Sequence, residues 1–342
     1  MKNVFGIIFA NYTAEGFGAL LSQRTIASLP YGGRYRLIDF PLSNMINSGI
    51  TTVGVIMPSS YRSLIDHIGS GKEWNLDRKI GGLFILPGTI YGGHNTQESI
   101  MLSDLLTNSR YLQRRESETY ALIASSNKVY NMDYKPMIEQ HIDSGKTVTF
   151  AFFKDRDGNP RKLETLIVNR DALMTLVQDF ASYSHLDLAK LLQQELPASE
   201  IGRYEFSGYV KNVDSVQDYL EASFDLLDPK VQEEVFRGPR TIYTKTQDEA
   251  PTFYGDDAKV ENSLISAGCE IDGTVENCIL FRNVKVKKGA ALKNCIVMQH
   301  TTIGEDASLE NMILDKYITV NNDVKICGNP DKPMIIRKNA VL

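Results

Sequence analysis

Two hydrophobic rhythms divide the chain. In the first part, apolar runs rich in strand formers cover residues 4–10, 51–57, 83–87, 120–124 and 147–153. Runs that are apolar at nearly every position, not every second one, suit parallel strands buried on both faces. Between them, Leu64, Ile65 and Ile68 fall on one face of a helix over residues 61–68, and helical spacing recurs over residues 173–194. A further short strand is expected at residues 208–210. The predicted unit is an α/β sheet. Residues 228–257, with Pro229, Gly238, Pro239, Pro251 and Gly255, then read as a turn-rich connector.

Beyond it the rhythm shortens. Glu261-Asn262-Ser263-Leu264-Ile265 is echoed by Glu276-Asn277-Cys278-Ile279-Leu280, by Lys293-Asn294-Cys295-Ile296-Val297 and by Glu310-Asn311-Met312-Ile313-Leu314, at steps of 15, 17 and 17 residues. Val286, Ile303 and Val320 recur at the same 17-residue step. So short a period, with β-branched residues at fixed places, marks a parallel β-helix in which each coil buries what its neighbours expose. The asparagines should stack in line, and the coils are expected to be left-handed. The expected organisation is thus an α/β domain over residues 1–228, a connector over 229–257 and a left-handed parallel β-helix over 258–342.

The totals narrow the function. A length of 342 residues suits about two domains, and 42% hydrophobic with 23% charged residues is ordinary globular composition. A formal charge of −5 offers no general field for nucleic acid, so any anion must be held by local arginines. No run approaches the roughly 20 apolar residues that span a bilayer, and the apolar start lacks the features of a signal peptide. A cytoplasmic protein is expected, with no membrane or nucleic-acid partner. Cys269, Cys278, Cys295 and Cys327 lack metal-ligand spacing and read as buried thiols.

The most informative stretch is residues 31–44, YGGRYRLIDFPLSN. Gly32-Gly33 allows a tight bend, Arg34 and Arg36 place guanidiniums beside it, and Leu37, Ile38 and Phe40 return to a core. With the following Met45-Ile46-Asn47-Ser48-Gly49-Ile50, it resembles the phosphate-side segment of sugar-nucleotide pyrophosphorylases, in particular glucose-1-phosphate adenylyltransferase. His67-Ile68-Gly69-Ser70-Gly71 with Trp74-Asn75-Leu76-Asp77 is similar to the same family, although His67 itself reads as a polar helix-end residue before a catalytic base. The resemblance implies a Rossmann-like nucleotidyltransferase domain ahead of the β-helix.

Where that family carries its catalytic groups, this chain departs from it. The glycine-rich phosphate loop is replaced by residues 10–21, with Glu15 where triphosphate oxygens would lie; the family's lysine and proline fall on Ile26 and Ala27. Its Gly-Thr-Ala-Asp-Ala segment is replaced by residues 94–99. The family's Ser-Gly-Asp-His-Ile-Tyr motif matches Ser125-Ser126-Asn127-Lys128-Val129-Tyr130, so the Mg²⁺-binding aspartate becomes Asn127. The second metal-binding aspartate matches Asn212. Each lost charge is worth on the order of a few kcal/mol in ion affinity. Asp133 and Asp214 lie nearby, but acidic residues beside a helix start are commonly caps. A family segment of about thirty residues, with a sugar-phosphate lysine, has no match near residues 154–168.

Taken together, the resemblance implies a diverged, non-catalytic D-type subunit of bacterial glucose-1-phosphate adenylyltransferase. It would pair with a catalytic subunit in a hetero-oligomer, a tetramer by resemblance, making ADP-glucose for glycogen synthesis. Mg²⁺ and ATP serve the family, while this chain is expected to bind neither as its own cofactor. Arg24 and Arg36 match basic positions that hold phosphorylated effectors in bacterial relatives. Three other readings stay open: a weak adenylyltransferase in its own right, a stand-alone sugar-nucleotide-binding module, and a β-helix acyltransferase. The last would need a histidine base in the coils, where His300 alone is present and reads as a solvated turn residue.

Overall fold

The computed structural model describes residues 3–12, 16–57, 61–88, 100–183 and 186–342. Seven strands form the first sheet: β1 (Val4–Phe9), β2 (Thr52–Met57), β3 (Gly82–Pro87), β4 (Tyr120–Ser125), β5 (Val148–Lys154), β6 (Pro160–Asn169) and β7 (Ile201–Phe206). Their spatial order is β7-β5-β6-β4-β1-β2-β3. All neighbours are parallel except β6, which runs antiparallel to both β4 and β5.

The continuous apolar runs explain why this sheet lies inside. In β1, Phe5, Ile7 and Phe9 enter one core while Val4 and Ile8 enter the other, so successive residues serve opposite faces. Helices cover both faces: Asp39–Asn47, Arg62–Ile68 and Lys135–Ser144 pack on the Val4 and Ile8 side, and Leu102–Thr107, Arg170–Asp179 and Leu188–Glu195 on the other. Where the pyrophosphorylase resemblance implies a long insertion, β5 and β6 are joined by a closed turn. Gly158 takes φ +80°, and the Asp155 carboxylate accepts the N–H groups of Asp157 and Asn159 and the Arg161 Nε–H.

Two expected elements differ. The helix over residues 173–194 is two helices, Arg170–Asp179 and Leu188–Glu195, and Asp187 caps the second by accepting the Lys190 N–H at 2.8 Å. Residues 208–210 are not a strand; the strand is β7 immediately before them, half-exposed at the sheet edge.

The second domain is a stack of coils. Three five-stranded parallel sheets form its walls. Leu264, Ile279, Ile296 and Ile313 fall in register, confirming the read repeat, and the architecture is a left-handed parallel β-helix. Val275, Leu292 and Leu309 line the interior. At the corners, Asn262, Asn277, Asn294 and Asn311 all adopt positive φ, between +41° and +54°. Each donates its side-chain N–H to the next, and Asn311 donates to the Gly328 carbonyl. Asparagine suits this place because its short amide tolerates the left-handed conformation and satisfies the stack.

Three of the four cysteines are buried free thiols, as expected, but Cys327 is exposed. It lies in line with Glu310, Lys293 and Glu276, an outward-facing register, on an edge strand of its sheet.

The domains share a core. Tyr31, Leu37, Phe40 and Tyr219 of the first pack with Ile279, Phe281, Ile296 and Met298 of the second. The Gly32-Gly33 bend is the tip of a small hairpin, Pro30–Tyr31 paired with Tyr35–Arg36, and it abuts the first coils. A Cβ on Gly33 would strike Ser266 Oγ and Leu264, so only glycine permits this approach. Among the described residues, no helix is long and apolar enough to cross a membrane.

Candidate functional sites

The first site lies at the carboxyl end of β4. There Lys128–Val129 pairs antiparallel with Lys211–Asn212, setting Lys128 opposite Asn212, and the Val213 N–H donates to the Asn127 carbonyl. Asn127 and Asn212, far apart in sequence, are thus brought side by side, Asn127 immediately before one short strand and Asn212 at the end of the other. Asn127 Nδ2 donates to Asp214 Oδ1 at 2.6 Å. The Asn127 and Asn212 side-chain oxygens are buried without a hydrogen-bond partner.

Lys128 is fully buried, and its Nζ lies 3.0 Å from Glu164 Oε2, at ion-pair distance but outside hydrogen-bond geometry. Glu164 comes from β6 and holds φ +54° at a point where the β5–β6 register slips. Burial raises the Asp214 carboxyl, opposed by the Lys128 charge and the Asn127 hydrogen bond. The Tyr12 phenol is pushed up by burial and then by Asp214 and Glu164, which places all these groups in one cluster. Asp133 is occupied elsewhere, accepting the Lys135 N–H at the start of a helix and a Ser48 hydroxyl. Among the described residues, no group of three or more His, Cys, Asp or Glu side chains could hold a metal ion. Glu15 and residues 94–99 lie outside the described residues.

The second site is a cleft between the domains. Its cations are Arg34 and Arg36 from the hairpin, Lys245 from the connector, and Arg282 and Lys316 from the coils. Arg36 donates to the Ser63 carbonyl and hydroxyl at 2.5 and 2.9 Å, and burial lowers its pKa to about 10. Lys316 is lowered to about 7, first by burial and then by Arg36 and Arg24. Burial also lowers Arg282, helped by Arg34. Asp66 is the carboxylate on the wall, and His67 sits behind it. His67 Nε2 is 2.6 Å from Asp39 Oδ1, and burial holds the imidazole below its usual pKa.

Arg36 therefore faces this cleft, whereas the Arg24 guanidinium is engaged beside it. Arg24 grips Asp315 of the β-helix with contacts of 2.7 and 2.8 Å, and both side chains are buried. Sequence reading did not single out Lys128, Glu164, Lys316, Arg282 or Lys245. Their partners come from distant segments, and only the Lys128 position within the quoted motif offered a signal. His300 is an exposed turn residue with φ +59°, stacked on Tyr317 at 4.9 Å, as its reading anticipated.

The comparisons agree with this two-part layout. The nucleotidyl transferase family matches residues 21–163, and the GlmU-like C-terminal hexapeptide family matches residues 250–334. A protein named glycogen biosynthesis protein GlgD from Geobacillus stearothermophilus is 40% identical, covering 99% of this chain and 97% of its own length. The GlgD protein of Bacillus subtilis is 38% identical with the same coverage. A glucose-1-phosphate adenylyltransferase of Clostridium perfringens is 29% identical, covering 85% of this chain and 83% of its own. With GlgD proteins matched end to end and adenylyltransferases over most of its length, the chain belongs to the GlgD-type glycogen biosynthesis proteins of the glucose-1-phosphate adenylyltransferase family.

Proposed function

We propose that this chain is a regulatory, non-catalytic subunit that pairs with a catalytic glucose-1-phosphate adenylyltransferase in a cytoplasmic hetero-oligomer. The observation that carries the reading is the pair Asn127 and Asn212, held side by side by the pairing of two short strands, at the positions where the resemblance places metal-binding aspartates. Nucleotidyl transfer depends on alignment and on neutralising charge at the reacting phosphates. A site that has exchanged two carboxylates for amides is poorly equipped for it.

The interdomain cleft supplies the regulatory half. Five cations from three segments of the chain, with Asp66 among them, suit a phosphorylated small molecule bound between the domains. Such a ligand would bias the neighbouring subunit only through contacts that differ between two states of the oligomer.

The test is co-expression with a catalytic relative, followed by purification through a tag on one chain only. The two chains are expected to co-purify, with ADP-glucose formation by the pair and none by this chain alone. Separation of the chains, or formation of ADP-glucose by this chain alone at a rate typical of working enzymes, removes the reading. The second outcome would favour an adenylyltransferase in its own right.

A further inference from the structure

The family's use of Mg²⁺ poses a question of fit at the end of β4. The donor set here does not suit a divalent cation. Asn127 turns its N–H toward Asp214, and the buried ammonium of Lys128 stands beside the Glu164 carboxylate. A divalent cation entering this cluster would meet a fixed positive charge at close range and in poor solvent screening.

We propose that the Lys128 ammonium is a built-in counter-ion that stands in for a metal ion, pairing with Glu164 and partly offsetting the charge of Asp214, and thereby keeps divalent cations out of the cluster. Three observations point the same way. Lysine is almost never wholly buried unless its charge is matched, and Lys128 is wholly buried among the described residues with a carboxylate at 3.0 Å. Glu164 holds an unfavourable left-handed backbone at the register slip where its side chain meets Lys128. The Asn127 and Asn212 amide oxygens lie buried around the same spot as hydrogen-bond acceptors with no donor paired to them.

The compact ammonium on its four-carbon stem can reach such a spot where a guanidinium fork would be too broad. One positive charge replaces two, which suits a cluster whose neighbouring asparagines carry none. The claim concerns the isolated chain, so its test does not depend on a catalytic partner or on the effector cleft.

The probe is Mn²⁺, followed by the electron paramagnetic resonance signal of the free aquo ion and by thermal unfolding of the full chain. Lys128→Met is expected to bind Mn²⁺ at least about tenfold more tightly than the wild type. Mn²⁺ should raise the melting temperature of that variant and leave the wild type unchanged, and adding Asp214→Asn should abolish the gain. Equal binding by wild type and Lys128→Met overturns the proposal. So does a variant that loses stability without gaining metal, because Lys128 would then be a structural ion pair alone. If Lys128→Met does not fold, adding Glu164→Gln and Asp214→Asn removes the uncompensated charge. Recovery of the folded chain then supports the counter-ion role, and failure to recover it overturns it.

Discussion

The cluster at the end of β4 and the cleft between the domains are both rich in charge, yet they handle it in opposite ways. In the cluster, Lys128 is enclosed with Glu164 and close to Asp214, so opposite charges meet within the chain. In the cleft, Arg34, Arg36, Lys245, Arg282 and Lys316 gather with Asp66, so positive charge is in excess and much of it is withdrawn from solvent. The comparison teaches that burying charge with its partner closes a site, while burying like charges together prepares one for a ligand. Arg24 stands between these cases: it flanks the cleft, but its charge is matched by Asp315.

The largest expected effect breaks that matched pair. Arg24→Ala leaves the Asp315 carboxylate buried and unpaired, which should cost about 3–5 kcal/mol of stability, measured by urea denaturation. A loss under about 1 kcal/mol would mean that Asp315 finds water or another cation. Arg24 is for this reason a poor choice for probing the cleft.

Next in size is the cleft itself. Arg36→Ala combined with Lys316→Met should weaken pyrophosphate binding by roughly 10–100-fold in calorimetry, with little change in fold, since charge-assisted hydrogen bonds to an anion are removed. Unchanged affinity would place the anion elsewhere and erase the contrast between the two sites.

The smallest effect sharpens the contrast by following a proton. Lys316 falls from 10.5 to about 7 in the native chain. Between those values the unfolded chain holds a proton that the native chain lacks. Its contribution to stability is therefore least favourable below about pH 7 and improves as pH rises through that window. An anion paired with the ammonium pulls the pKa back up. Pyrophosphate binding at about pH 8 should therefore take up a fraction of a proton, read as a dependence of the binding heat on buffer ionisation. The Lys316→Met variant should show no such uptake from this residue.

How much of this was legible in the sequence depends on how locally each feature is specified. The strands β1, β2 and β4 announced themselves because both faces are buried, and the coils because the same residue types recur at a fixed step. The break in the helix over residues 173–194 was hidden for a physical reason. Leu173, Leu176 and Val177 before it and Leu188, Leu191 and Leu192 after it bury into the same core, so apolar spacing continues across the gap. β7 was missed because an edge strand with exposed Arg203 and Glu205 has no continuous apolar run. Asn127 and Asn212 could be named by resemblance, but their meeting with Lys128, Glu164 and Tyr12 follows from strand pairing across long stretches of chain. The cleft was legible only as Arg34 and Arg36; Lys316 and Arg282 reach it from coils that the sequence reading had treated as scaffold.

The shared core between the domains has one more consequence. Because Tyr31, Phe40 and Tyr219 interlock with Ile279, Phe281 and Ile296, the two halves cannot easily drift apart to ease the crowding of Arg36 and Lys316. The tension leaves as a hydrogen ion released to solvent, in place of a hinge that swings. In such a molecule, acidity does the work that movement does elsewhere.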